Sequence, residues 1–140
     1  MSGLQFMDES GHDHRTAPYE VCGGVAIRDS KLWPFTQAMQ RWLERECFGG
    51  PLHEYKSEIK GCRLREKRRF EWAQQSAVMT SEVRRENSRR FLTKGLEKSS
   101  PNRDEFTAFG QACIEMARGT FRLLIDHEAV LFATAIPRDV

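Results

Sequence analysis

Leu4, Gln5, Phe6 and Met7, apolar at all but Gln5, run directly into Asp8, Glu9, Ser10 and Gly11. This is the pattern of a first strand that delivers a carboxylate at its C-terminal end, with Gly11 free to turn the backbone. A polar loop over 11–18 leads to a second strand at 19–27, where Val21, Val25 and Ile27 favour extended backbone. The short connection predicts an antiparallel hairpin. Gly23 and Gly24 inside the second strand predict a bulge, or a point where another backbone or a ligand comes close.

From 31 to 47 the period changes: Leu32, Phe35, Met39, Trp42 and Leu43 fall at helical spacing, and Pro34 sits in the first turn, where it is tolerated. Phe48, Gly49, Gly50 and Pro51 stop this helix. The segment 52–61 is short and ends in glycine, so it reads as extended. Alternation then puts Glu58 and Lys60 on one face and Ile59 on the other. A basic helix over 64–75 has weak anchors at Leu64, Phe70 and Ala73. A helix over 81–96 turns Val83, Phe91 and Leu92 inward, and 98–102 is a break. In the most periodic stretch Phe106, Phe109, Cys113, Met116, Ala117, Thr120, Phe121 and Leu124 trace one stripe, with Gly119 allowing close packing. The apolar run at 129–136, ended by Pro137, has the pattern of a strand covered on both faces. Strands and helices interleave after an initial hairpin. The expected class is therefore α/β, one domain over 1–140 with helices packed on a mixed sheet.

Composition changes this picture little. Apolar residues make up 39% of the 140 and aromatics 10%, enough to build a core and to exclude wholesale disorder. The net charge is only +2, but basic residues crowd the stretch 63–90. Cys22, Cys47, Cys62 and Cys113 form no Cys-x-x-Cys pair, which argues against a zinc knuckle or ribbon. With no signal peptide and no apolar run of membrane-spanning length, reduced thiols in the cytoplasm are the natural reading, with Cys22 and Cys113 packing as small apolar side chains. Trp33, Trp42 and Phe35 are better explained as core than as a base-stacking platform.

The chemistry centres on three residues. Asp8 and Glu58 could share a hard divalent cation, Mg²⁺ or Mn²⁺, through oxygen ligands. Lys60, two residues from Glu58 on the same side, could orient a water or neutralise charge on a phosphoryl group. The plainer reading of Glu58 and Lys60 is a solvated ion pair. His12 and His14, flanking Asp13, could hold a transition metal with Asp8, although a His-x-His in a polar loop is more often solvated. His53 could serve as a second base, whereas His127 suits a helix C-terminus. Arg63, Arg65, Lys67, Arg68 and Arg69, with Arg84, Arg85, Arg89 and Arg90 behind them, could grip nucleic-acid phosphates. The interspersed Glu66, Glu71, Glu82 and Glu86 fit a salt-bridged helix face instead. Serine-nucleophile chemistry and a glycine-rich phosphate loop find no matching pattern.

Four segments carry a resemblance: Phe6-Met7-Asp8-Glu9-Ser10-Gly11-His12, Tyr19-Glu20-Val21 with Gly23-Gly24-Val25-Ala26-Ile27, Ser57-Glu58-Ile59-Lys60-Gly61, and the stretch from Val130 through Ile136-Pro137-Arg138. Together they resemble, over the whole chain, the bacterial domain-of-unknown-function family numbered thirty-eight hundred. The resemblance implies a ribonuclease H-like fold, genes near mobile elements and phage, Asp8 and Glu58 as metal ligands, and Lys60 as the assisting cation. The expected function is a metal-dependent nuclease acting on RNA or DNA. The alternative is a catalytically inactive binding or assembly module. Family members continue past Ile-Pro-Arg with further helices and a strand ending in another aspartate, a place that Asp139 could take here. The chain is thus expected to be the N-terminal part of a longer family domain. Apolar sheet surface left uncovered would then be met by a second copy or a partner chain.

Overall fold

The computed structural model describes residues 2–10, 19–58, 60–64 and 66–137, and of Ser10 and Cys62 the backbone alone. The candidate residues His12, Asp13, His14, Arg65 and Asp139 lie outside the described residues. The chain divides into two compact units, one of Met1–Phe35 with Leu124–Val140 and one of Thr36–Leu123.

The first unit holds the sheet. Strands β1 (Gly3–Ser10), β2 (Tyr19–Arg28) and β3 (Val130–Pro137) form an antiparallel sheet in the order β1-β2-β3. The initial hairpin is as the sequence predicts. The register runs without a break from Gly3 opposite Arg28 to Ser10 opposite Val21, so there is no bulge at Gly23 or Gly24. The close approach is real, however. A Cβ on Gly24 would lie 2.2 Å from the Phe6 carbonyl oxygen and 2.5 Å from the ring of Phe132, its partner on β3. The ring covers the bare backbone that glycine leaves.

Alternation and register put Leu4, Phe6 and Asp8 on the same sheet face as Val25, Ile27 and Leu131. Only Ile27 in this group is buried. Phe6 and Leu131 are 52% and 53% exposed. The expectation that 129–136 is covered on both faces is corrected accordingly. β3 lies at the edge of a three-stranded sheet, and its apolar side chains are mostly open to water. Helix α1 (Asp29–Gln37) leaves β2 directly, and the edge of His127 meets the Phe35 ring at 5.7 Å.

The second unit is helical. A π-helical turn over Ala38–Leu43 continues into α2 (Glu44–Phe48) with helical backbone at both junctions. Leu43 at the end of this turn and Cys47 and Phe48 of α2 are buried. Trp42, expected inside, is 61% exposed, and Trp33 is exposed as well. Gly49, in the left-handed region at φ 78°, ends α2, and a Cβ there would lie 2.6 Å from the Arg85 carbonyl oxygen. A 3-10 turn at Leu52–Tyr55 follows, then α3 (Gly61–Leu64), α4 (Lys67–Ala73), α5 (Ser81–Glu97) and α6 (Arg103–Asp126). No described helix is long and apolar enough to cross a membrane.

Among the described residues, helix α6 supplies more of the core than any other element. Its buried stripe runs through Ala108, Ala112 and Met116 to Leu123, a small rotation from the predicted one, and Phe121 is exposed. Small side chains face the closest neighbours while Phe106 and Phe109 flank them. Gly119 packs as predicted, since a Cβ there would lie 2.3 Å from a Leu43 methyl group. Gly110 does the same against α4, where a Cβ would meet the Arg69 carbonyl oxygen and the Ala73 nitrogen at 2.7 Å. Two buried polar groups order the chain around α6. The Glu105 side chain accepts from the Asn102 backbone while the Asn102 side chain accepts from the Glu105 backbone, a reciprocal cap that Lys94 completes at 2.8 Å. Gln111 donates to the carbonyls of Ala73 and Ala77 and accepts from the Met79 N–H.

Val83 on α5 and Phe70 on α4, expected as inward anchors, are 45% and 42% exposed. Leu92 on α5 and Ala73 on α4, expected inward as well, are buried.

Candidate functional site

Within the helical unit, the chain between α2 and α4 forms a small cavity. Pro51 enters the 3-10 turn, and the Leu52 N–H donates to a Glu44 carboxylate oxygen at 2.9 Å. Lys56 takes the left-handed conformation, φ 51°, and the Ser57 N–H returns to the Leu52 carbonyl. The predicted extended segment is thus a tight turn followed by irregular backbone. It has no neighbouring strand to pair with, so the backbone hydrogen bonds are made locally. Glu58 and Lys60 nonetheless share a side, as expected. Lys60 Nζ lies 2.8 Å from Glu58 Oε1. The Lys60 carbonyl then accepts from the N–H groups of Arg63 and Leu64 and opens α3.

This places four of the predicted residues around one cavity of about 60 Å³, with Glu58, Lys60, Arg63 and Arg69 among its polar lining and Phe109 and Cys113 among its apolar lining. Three cations face one carboxylate, so the lining favours an anion. The hydrogen bond from Lys60 and its charge, with Arg63 adding to it, hold the Glu58 carboxyl below its ordinary value. Burial pushes the Cys113 thiol up to about 12, so it stays protonated and is neither a nucleophile nor a thiolate ligand. The Arg69 guanidinium is held between two rings, 4.5 Å from Trp72 and 5.0 Å from Phe109.

The other predicted residues have different surroundings. Arg68 lies over the Trp72 ring at 5.5 Å, and Lys67 makes an exposed pair with Glu71 at 3.5 Å. Arg85 pairs with Glu46 at 2.7 Å, and Arg90 with Glu86. Arg85 thus ties α5 to α2, while the Arg90–Glu86 pair lies along α5 itself, as on a salt-bridged face. His53 is exposed on the 3-10 turn.

Asp8 belongs to the sheet unit, on β1 opposite Gly23. It is exposed, and its Oδ1 accepts from the Glu9 N–H at 2.9 Å. Its strand continues two residues beyond it, so Asp8 lies inside β1, short of the tip. Carboxylates such as Asp8 and Glu58 are the oxygen donors that suit a hard cation. Among the described residues, no group of three or more His, Cys, Asp or Glu side chains is arranged to hold a metal.

The aromatic clamp on Arg69 was not foreseen. Trp72 and Phe109 carry the periodicity of ordinary core residues, and nothing in the sequence marks them as partners of a cation. No family model, curated protein or solved structure matches the chain.

Proposed function

We propose that the protein binds nucleic acid and hydrolyses its phosphodiester bonds with Mg²⁺ or Mn²⁺, on a ribonuclease H-like scaffold. The observation that carries this reading is the meeting of Lys60, Arg63 and Arg69 with Glu58 around one cavity. Arg63 and Arg69 would hold phosphate oxygens, for which the guanidinium fork is well shaped. Lys60 would offset charge that builds on the phosphoryl group. Asp8 and Glu58 would supply carboxylate oxygen ligands to the ion. A bound divalent ion makes water more acidic and stabilises developing negative charge. The hairpin at the start of the sheet, with an acid on its first strand, agrees with the scaffold, as does the resemblance to the Asp-Glu-Ser-Gly family.

The test is cleavage of labelled RNA and DNA with and without Mg²⁺ or Mn²⁺, comparing wild type with Asp8→Asn and Glu58→Gln. Metal-dependent cleavage that both substitutions abolish supports the proposal. Cleavage unchanged by both removes Asp8 and Glu58 from the mechanism.

A second reading, an inactive binding or assembly module, draws on a different observation, the exposed apolar side chains of the sheet. Under that reading light scattering finds a stable oligomer, calorimetry finds no divalent-ion binding, and no cleavage occurs.

A further inference from the structure

A second concavity of the helical unit, about 300 Å³, adjoins the Glu58–Lys60 cavity and shares Ser57, Arg69 and Phe109 with it. Arg69 therefore stands between the two. Their chemistry differs. The first carries Lys60, Arg63 and Glu58. The second is lined chiefly by Tyr55, Phe91, Phe109 and Leu96, with Lys56, and Gly95 of α5, beside them. The Phe91 and Phe109 rings are stacked, 16° from parallel with centroids 4.2 Å apart, and both are only half-buried. A Cβ on Gly95 would meet nothing within 4 Å. The space beside this glycine is open.

A cation-rich cavity next to an aromatic one matches the repeat of a nucleic-acid strand, a phosphate followed by a flat ring. We infer that the second concavity takes one nucleobase of an unpaired strand while Lys60, Arg63 and Arg69 hold the neighbouring phosphate. This rests on the nucleic-acid reading above and narrows its substrate class to single strands. A base inside a duplex has both faces occupied by its neighbours and is not free to enter. An unpaired base can lie against the ring cluster, an interaction that is tolerant of base identity. The volume lies at the lower end of small-molecule pockets, enough for a base and little more. The Arg69 guanidinium, held over the Trp72 and Phe109 rings, offers its N–H groups to the neighbouring phosphate.

The experiment measures fluorescence anisotropy of three probes of equal length: a labelled thymidine homopolymer, the same backbone with abasic sugars, and a duplex. The thymidine strand is expected to bind about tenfold tighter than the other two. Gly95→Leu, which fills the open space, is expected to erase that preference. It should keep or raise the melting temperature, because leucine favours a helix interior more than glycine does. Tyr55→Leu is expected to reduce the preference in the same direction, and Lys60→Glu with Arg63→Glu to weaken all three probes. Equal binding of thymidine and abasic strands, or a preference that survives Gly95→Leu, overturns the base pocket and leaves backbone binding standing. Binding of none of the probes overturns the nucleic-acid reading itself.

Discussion

The two units are held together by different forces. In the helical unit the side chains dominate. Ala108, Ala112, Met116 and Thr107 are fully enclosed, and a buried Glu105 is matched by Lys94 and Asn102. In the sheet unit the backbone dominates. β2 is paired along nearly its whole length with β1 on one side and β3 on the other, yet of the buried apolar side chains described only Ile27 and Leu124 belong to this unit. Tolerance to substitution should therefore divide along the same line. A helix core is sensitive to the volume of each side chain. A backbone ladder is indifferent to side chains that already face water.

The sharpest challenge to this comparison is truncation of Met116. Met116→Ala should lower unfolding free energy by about 2–5 kcal/mol, measured as a shift in the urea midpoint, because the cavity it leaves is closed on all sides. A loss below 1 kcal/mol would mean that the helical core is looser than its burial implies.

Glu105 gives a second handle, through pH. Burial raises its pKa, but the hydrogen bonds from Lys94 and the Asn102 backbone, with the Lys94 charge, outweigh burial and bring it below the ordinary 4.5. A carboxyl depressed by folding adds stability above its unfolded value and loses it as pH falls through its folded value. Stability should therefore drop on acidification below about 4.5, and Glu105→Gln should be less stable at neutral pH and flatten that part of the profile. Chemical denaturation from pH 7 to pH 3 compares the two slopes.

The smallest effect belongs to the sheet. Phe6→Thr and Leu131→Thr should each change the urea midpoint by the equivalent of no more than about 0.5 kcal/mol, since both side chains are half in water already. A loss comparable to that of Met116→Ala would show that these side chains are covered in solution, and would favour the assembly reading.

Much of the fold was legible in local pattern. The hairpin follows from two β-prone stretches joined by a short polar loop, and the stops at Gly49 and around Asn102 follow from backbone chemistry. The Asn-x-x-Glu cap at Asn102 and Glu105 was also there to be read, since its spacing is local. The site was legible in part. Glu58 and Lys60 meet as expected, but through a direct ion pair on irregular backbone and not through strand alternation. The inclusion of Arg63 and Arg69 follows from the α3 and α4 turns that begin at Lys60 and Glu66. Trp33, Trp42 and Phe121 misled because large apolar side chains in a periodic helix imply burial, while their exposure here depends on helix rotation and on what lies opposite.

The amino-acid order by itself determined the strand-rich ends, the helical middle, the glycines where chains approach and the neighbouring Glu58 and Lys60. These are properties of residues a few positions apart, fixed by sterics and backbone hydrogen bonding. Only the tertiary structure decided that Arg69 is clamped by Trp72 and Phe109, that Gly110 brings α4 against α6, and that an aromatic concavity opens beside a cationic one. Those depend on which surfaces meet after the chain has folded, and the packing of distant residues leaves no periodic trace along the sequence.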